Sequence, residues 1–202
     1  MRSQQIFTIG HSTHSIDSFL SLLRAHDIDT IVDVRSAPYS RFNPAFSREP
    51  LKQELKKQGL SYVFLGKELG GRPSDPACYE GGRADYVKMA ATEVYRSGLE
   101  RVIEGSLSHR IALMCSEADP LDCHRTLLVA RSLADRQLGV AHIRREGGVE
   151  THTEAEDRLI CSAGLAGILL RTREEALIEA YTLQAGRVAY AEEPTSTTVK
   201  AR

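Results

Sequence analysis

Four short apolar runs, each followed by polar residues or glycine and then by a helical repeat, constrain this chain more than any other feature. Residues 5–9 (Gln-Ile-Phe-Thr-Ile) stop at Gly10, residues 28–34 (Ile-Asp-Thr-Ile-Val-Asp-Val) run into Arg35, residues 61–65 (Ser-Tyr-Val-Phe-Leu) stop at Gly66, and residues 110–114 (Arg-Ile-Ala-Leu-Met) run into Cys115. Runs of this length, rich in β-branched and aliphatic side chains, read as strands covered on both faces. After the first run, Ile16, Phe19, Leu20 and Leu23 fall on one stripe of an α-helix. Ser12 and Ser15 are its candidate N-caps, and Asp17 suits the positive end of the helix dipole. Leu51 and Leu55 ahead of Gly59 mark a second helix. Strands alternating with helices give an α/β fold, a mainly parallel sheet with helices on both faces.

Beyond the third run, residues 66–83 read as a long glycine- and proline-rich loop, a length that suits a lid or binding loop. Val87, Ala90, Ala91 and Val94 mark a helix that Gly98 stops, and Leu99, Val102, Ile103 and Leu107 mark another. Cys123-His124-Arg125 opens a helix that carries Leu127, Ala130, Ala134 and Leu138 up to Gly139. Residues 140–144 and 149–152 flank Glu146-Gly147-Gly148 as a C-terminal hairpin, and Thr153 with Glu156 has capping-box spacing for the helix that follows. The expected organisation is an α/β domain over 1–165, a C-terminal helical extension of it over 166–190, and a disordered tail over 191–202.

Composition excludes several classes. With 26 Lys+Arg against 27 Asp+Glu the net charge is −1, which disfavours a broad nucleic-acid surface while leaving room for a local arginine cluster. No apolar run approaches the roughly 18 residues of a membrane helix, and residues 1–10 lack the pattern of a signal peptide, so a cytoplasmic protein without a membrane partner is expected. Four cysteines in 202 residues are too few for a disulfide scaffold and point to buried, catalytic or metal-binding thiols.

In open parallel sheets ligands bind beyond the carboxyl ends of the strands. Here those ends deliver Gly10, His11, Ser12 and His14, then Asp33 and Arg35, then Gly66 and the glycine-rich loop, and finally Cys115, Glu117, Cys123, His124 and Arg125. A thiol at a helix N-terminus beside His and Arg has its pKa lowered from about 8.5 to roughly 3.5–7.5. Cys123 is therefore the first candidate nucleophile and Cys115 the second. His124, His11 and Glu117 are the candidate proton-transfer groups. Arg125 and Arg35 offer planar forks for a carboxylate or phosphate, and a cation in a helix's first turn calls for an anion to offset the dipole. Backbone amides of Gly10 and Ser12 suit the same anion, with Asp33 completing the binding set. Each residue also has a plainer reading. Either cysteine serves as a small buried apolar group, Glu117 as an ion-pair partner, Arg35 as the mate of Asp33 or Glu117, and His11 as a loop hydrogen-bonder. His26, His109 and His152 read as surface residues.

Cys115, Cys123, His124 and His11 are soft metal ligands, but Cys-x7-Cys-His is no zinc-finger or ribbon spacing. Adjacent side chains at a helix start also point about 100° apart, so no metal is expected. A Cys115–Cys123 disulfide would close a short loop if the thiols are redox-active. The residues name no cofactor and set no oligomeric state.

Thr8-Ile9-Gly10-His11-Ser12, Asp33-Val34-Arg35 with Pro38 and Ser40, Leu69-Gly70-Gly71, and above all Cys115-x-Glu117-x-x-Pro120-x-x-Cys123-His124-Arg125 resemble the bacterial family catalogued as domain of unknown function 488. His142-Ile143 and Glu156-Asp157-Arg158-Leu159-Ile160 also match, so the resemblance runs from about residue 5 to about residue 190. It implies an α/β fold and a shared site, and no settled reaction. The leading expectation is a thiol-dependent hydrolase or transferase acting on a small anionic, nucleotide-like substrate through a Cys/His/Arg cleft. A non-catalytic ligand-binding or regulatory module stays open. So does nucleic-acid processing through Arg35, Arg41, Arg72 and Arg83, which is not favoured.

Overall fold

The computed structural model describes residues 4–192. The chain opens with β1 (Gln5–Gly10), α1 (Ile16–Ala25), β2 (Thr30–Asp33), α2 (Arg48–Lys57) and β3 (Ser61–Phe64). Next come α3 (Gly66–Leu69), a small ribbon of β4 (Tyr79–Glu80) and β5 (Arg83–Ala84), α4 (Tyr86–Ala90), α5 (Glu93–Ser106) and β6 (Ile111–Cys115). A π-helical segment, Arg125–Ala130, then continues into α6 (Arg131–Ala134), followed by β7 (Gly139–Ile143), β8 (Val149–Thr151), α7 (His152–Ser162) and α8 (Arg173–Val188).

The main sheet runs β3-β2-β6-β1-β7-β8, parallel throughout except for β8, which is antiparallel to β7. Strand alternation sends Phe7, Ile9, Ile31, Ala112 and Met114 to one face, against Phe19, Leu20 and Leu23 of α1 and Leu51 and Leu55 of α2. Ile6, Val32, Ile111 and Leu113 meet Tyr95, Leu99 and Val102 of α5 and Leu128 and Leu133 on the other face. A third cluster packs Leu121 and Leu127 against Ala155 and Leu159 of α7 and Ala176, Ala180 and Tyr181 of α8.

The loop after β1 leads to α1 on one face, whereas the loop after neighbouring β6 leads to the π-helical segment on the other. Adjacent strands whose exits diverge open a crevice between them. Register sets Gly10 beside Cys115 and Asp33 beside Met114, so the ends of β1, β6 and β2 lie level.

Several local expectations are corrected. The helix break falls at Thr92, which caps α5 through Tyr95 N, and Gly98 sits inside α5. A Cβ at Gly98 would lie 2.5 Å from Glu68 Cβ, so this glycine serves a close helix–helix approach and ends nothing. The capping box is Thr151 with Glu154, two residues earlier than the spacing suggested, which turns His152 inward to 5% exposure. Ser15, not Ser12, caps α1, while Ser12 adopts a left-handed φ of 42°. The 66–83 segment is only partly loop, holding α3 and the β4–β5 ribbon. Tyr190 O accepts from Ala84 N, Ala191 bridges Arg83, and Glu192 N donates to Gly82 O, so the segment after α8 is tied to β5. The rest of the expected tail, 193–202, lies outside the described residues. Among the described residues no helix is long and apolar enough to cross a membrane.

A buried polar chain ties the C-terminal helices to the sheet. Thr8 Oγ1 meets His142 Nδ1 at 2.8 Å, His142 Nε2 meets His152 Nδ1 at 3.1 Å, and His152 Nε2 meets the Tyr181 hydroxyl at 3.1 Å, which in turn donates to Glu156. Burial first, and then each ring's neighbour or nearby arginines, hold both histidines below the usual imidazole range.

Two predictions follow from this packing. Ala normally gains about 1 kcal/mol over Gly inside a helix, but Gly98→Ala should instead lose about 1–3 kcal/mol by overpacking against α3, read as a lower urea midpoint. Because His142 and His152 stay neutral when folded but take up protons near pH 6.5 when unfolded, stability should fall as pH drops below that value. The acid limb of a pH–stability curve should be shallower in His142→Gln than in the wild type.

Candidate active site

Gly10 governs how the β6 loop crosses the end of β1. A Cβ there would collide with the Glu117 carbonyl and with Arg125 Nη1. With that space open, His11 N donates to Cys115 O and Ser12 N to Ser116 O, both at 2.9 Å. These amides splice two loops together, so the expected Gly10–Ser12 anion cradle is replaced by a backbone seam. Arg125, wholly buried, points its fork at the same loop: Nη1 donates to Glu117 O at 2.6 Å and Nη2 to Ala118 O at 3.2 Å. Its role is to hold the Cys115–Cys123 loop, and it does not line the cleft.

Asp33 is fully buried and accepts from Arg35 N, Nε and Nη2 and from the Tyr62 hydroxyl. It orients Arg35 and has no surface left for a substrate. Arg35 Nη2 also donates to Phe46 O, and Nη1 faces His11 Nε2 at 3.2 Å. That leaves one of the five guanidinium N–H groups, on Nη1, for the cleft that Arg35 lines. His11 stacks on Phe46 with ring centroids 4.5 Å apart and donates from Nδ1 to Ser12 O, while Nε2 accepts from Arg35. Burial, then Arg35, lowers its pKa to about 4. A neutral, doubly engaged ring braces Arg35 and is not placed as a general base.

Five of the sequence candidates do converge. The cleft, about 430 Å³, includes Arg35, Ser36, Tyr39, Gly71, Arg72 and Tyr86 in its lining together with Cys115, Glu117, Cys123 and His124. Both cysteines are buried at its floor. The Cys115 thiol donates to Glu117 Oε2 at 3.0 Å, and each sulfur lies 3.8 Å from His124 Nδ1. His124 Nε2 donates to Val34 O at 2.9 Å, which directs Nδ1 at the sulfurs. Arg125 N donates to Cys123 Sγ at 3.4 Å.

The electrostatics separate the two thiols. Hydrogen bonding to Cys123 and then burial hold the Cys115 thiol well above the usual range. Burial opposes ionisation of Cys123, but the Cys115 hydrogen bond, Arg125 and His124 together outweigh it and hold Cys123 well below the usual range. For His124, burial works against the charge and Cys123 reverses the balance, raising its pKa. Burial and then Cys123 raise Glu117. Of the two thiols, Cys123 is the more readily ionised.

Gly71, Tyr86 and Arg158 are not among the candidate site residues that the sequence offers. A Cβ at Gly71 would lie 2.9 Å from His124 Cγ, so this glycine makes room for the imidazole. The Tyr86 side chain lines the cleft near both thiols. Arg158 grips Asp119 through two 2.9 Å hydrogen bonds and Glu150 through two more, anchoring the middle of the Cys115–Cys123 loop. Its segment and the Leu69-Gly70-Gly71 segment carried a family signal; Tyr86 carried none.

A family model described as "Domain of unknown function DUF488" matches residues 15–132, more than half of the chain. The chain belongs to the DUF488 family. The DUF488 match spans Asp33 through Arg125, and leaves Gly10, His11 and the His142–Arg158 region outside it. No curated protein and no solved structure matches the chain.

If Arg125 serves the loop and not a ligand, Arg125→Ala should destabilise the protein by about 3–5 kcal/mol, through two orphaned carbonyls and a cavity. Added phosphate should not change that difference. Thermal melts of the wild type and variant with and without phosphate test this; phosphate-dependent stabilisation confined to the wild type would contradict it.

Proposed function

We propose that this DUF488 protein is an enzyme, a hydrolase or transferase, acting on a small anionic substrate held in the cleft. The charged end of the substrate sits at Arg72 and the remaining Nη1 N–H of Arg35, and its reacting group faces Cys115, Cys123, His124 and Glu117. One observation carries this reading: two sulfurs and an imidazole nitrogen lie within 4.8 Å of one another on the floor of an open cleft. Convergent titratable groups with shifted ionisation at a cleft are the usual mark of a reactive site.

The rim supports the polarity assigned to the substrate. Arg72 is exposed, with its guanidinium 4.6 Å from the Tyr190 ring centroid, and its backbone N donates to Ser36 Oγ. Tyr190 is brought there by the pairing of the segment after α8 with β5. Glu117, whose pKa burial raises, is suited to accept or deliver a proton.

A panel of phosphate and carboxylate esters, including nucleotides, tests the reading by turnover. Glu117→Gln should lower kcat by about 10²–10⁴-fold, and Arg72→Ala should raise KM with a smaller effect on kcat. Binding of panel members without turnover by the wild type would make the cleft a ligand-sensing module, and wild-type kinetics in both variants would refute the assignment.

A further inference from the structure

We infer that Cys115, Cys123 and His124 form a three-ligand site for a thiophilic divalent cation of the zinc class, with a fourth position open to the cleft. The spacing suits the ion. Two ligands of a tetrahedral zinc, at about 2.3 Å for sulfur and 2.0–2.1 Å for nitrogen, lie about 3.6 Å apart, and both sulfurs here are 3.8 Å from His124 Nδ1. All three ligand atoms fall within 4.8 Å of one another.

The objection drawn from sequence, that neighbouring side chains at a helix start diverge, fails on backbone conformation. Cys123 is still extended, with φ −144° and ψ 140°, and the helical geometry begins only at His124, with φ −58° and ψ −25°. That change of conformation between the two residues brings their side chains to one point.

The surroundings are those of a ligand set. His124 donates from Nε2 to Val34 O, which fixes the tautomer with the Nδ1 lone pair inward, the usual outer contact of a metal-bound histidine. Gly71 leaves the ring its place. Two sulfurs and an imidazole select zinc-like ions over magnesium or calcium. Three protein ligands beside an open cleft are the pattern of catalytic and not of closed structural sites. Glu117, with Oε2 3.0 Å from Cys115 Sγ, stands next to that open side. Resting on the enzymatic reading of the cleft, the cation would supply Lewis acidity at the substrate's reacting group, and Glu117 would handle the proton.

The test uses the full chain, reduced, stripped with a chelator and titrated with Co²⁺ and then Zn²⁺. One equivalent of Co²⁺ should produce thiolate-to-cobalt charge-transfer absorption and the strong visible bands of a tetrahedral site, and Zn²⁺ should erase both. Zn²⁺ should also protect Cys115 and Cys123 from iodoacetamide while exposed Cys161 still reacts. Cys115→Ser and His124→Ala, each checked for native circular dichroism, should weaken binding by about 100-fold or more, whereas Cys78→Ser should leave it unchanged.

A wild type with no cobalt bands and no zinc protection overturns the metal site, as does binding that survives both ligand variants. If turnover nevertheless depends on Glu117, the enzymatic reading stands without the metal. Zinc held by these three residues in a protein that turns over no member of the ester panel retains the metal site and removes the enzymatic reading.

Discussion

The buried guanidinium of Arg125, fastened to the carbonyls of Glu117 and Ala118, is the constraint on which the cleft depends. It pins the loop that leaves β6 across the end of β1, where the missing side chain of Gly10 admits it. Once that loop is seated, Cys115 and Cys123, eight positions apart in sequence, face one imidazole. Charge-assisted hydrogen bonds to buried carbonyls are stronger than neutral ones, and here the same residue also donates its backbone N–H to Cys123. One side chain and one amide of Arg125 therefore serve the two ends of the loop.

Around this centre the polar residues divide by depth. Asp33, Arg35, His11 and Tyr62 satisfy one another almost completely, forming a stiff wall beneath β2 that presents a single N–H outward. Cys115, Cys123, His124 and Glu117 satisfy one another only partly and border open space. Preorganised groups with unspent bonding capacity are what a reacting or coordinating site requires. The contrast between a closed network and an open one, a few ångströms apart, directs the functional reading to the second.

Much of this was legible in the sequence because it depends on local pattern. The four apolar runs, the α1 periodicity and the hairpin near residue 145 all became the expected elements, and the strand ends carrying Gly10, Asp33 and Cys115 do lie level. What sequence could not supply was the direction of hydrogen bonds and the depth of side chains. Arg125 and Asp33 look identical in sequence whether they meet a ligand or a neighbour. Gly98 reads as a helix stop because an i+4 repeat does not reveal Glu68 packed across from it. Cys123 and His124 seemed to diverge because the helix start was taken as uniformly helical, whereas one extended residue changes the angle between them. The family signature at Glu156–Ile160 proved to include Arg158, a long-range anchor for the cysteine loop.

That anchor has a consequence for how the protein comes into being. Arg158 lies more than thirty residues beyond Cys123 in the chain, and its partner Glu150 is nearly as far. As synthesis proceeds, the central strands and both thiols emerge well before the hairpin and α7 that restrain their loop. Domains generally fold as units, and although Arg125 alone fastens the loop at Glu117 and Ala118, its middle is held at Asp119 only once α7 has packed against it. A change in α7 would therefore reach the two sulfurs through Asp119, although no residue of α7 lines the cleft.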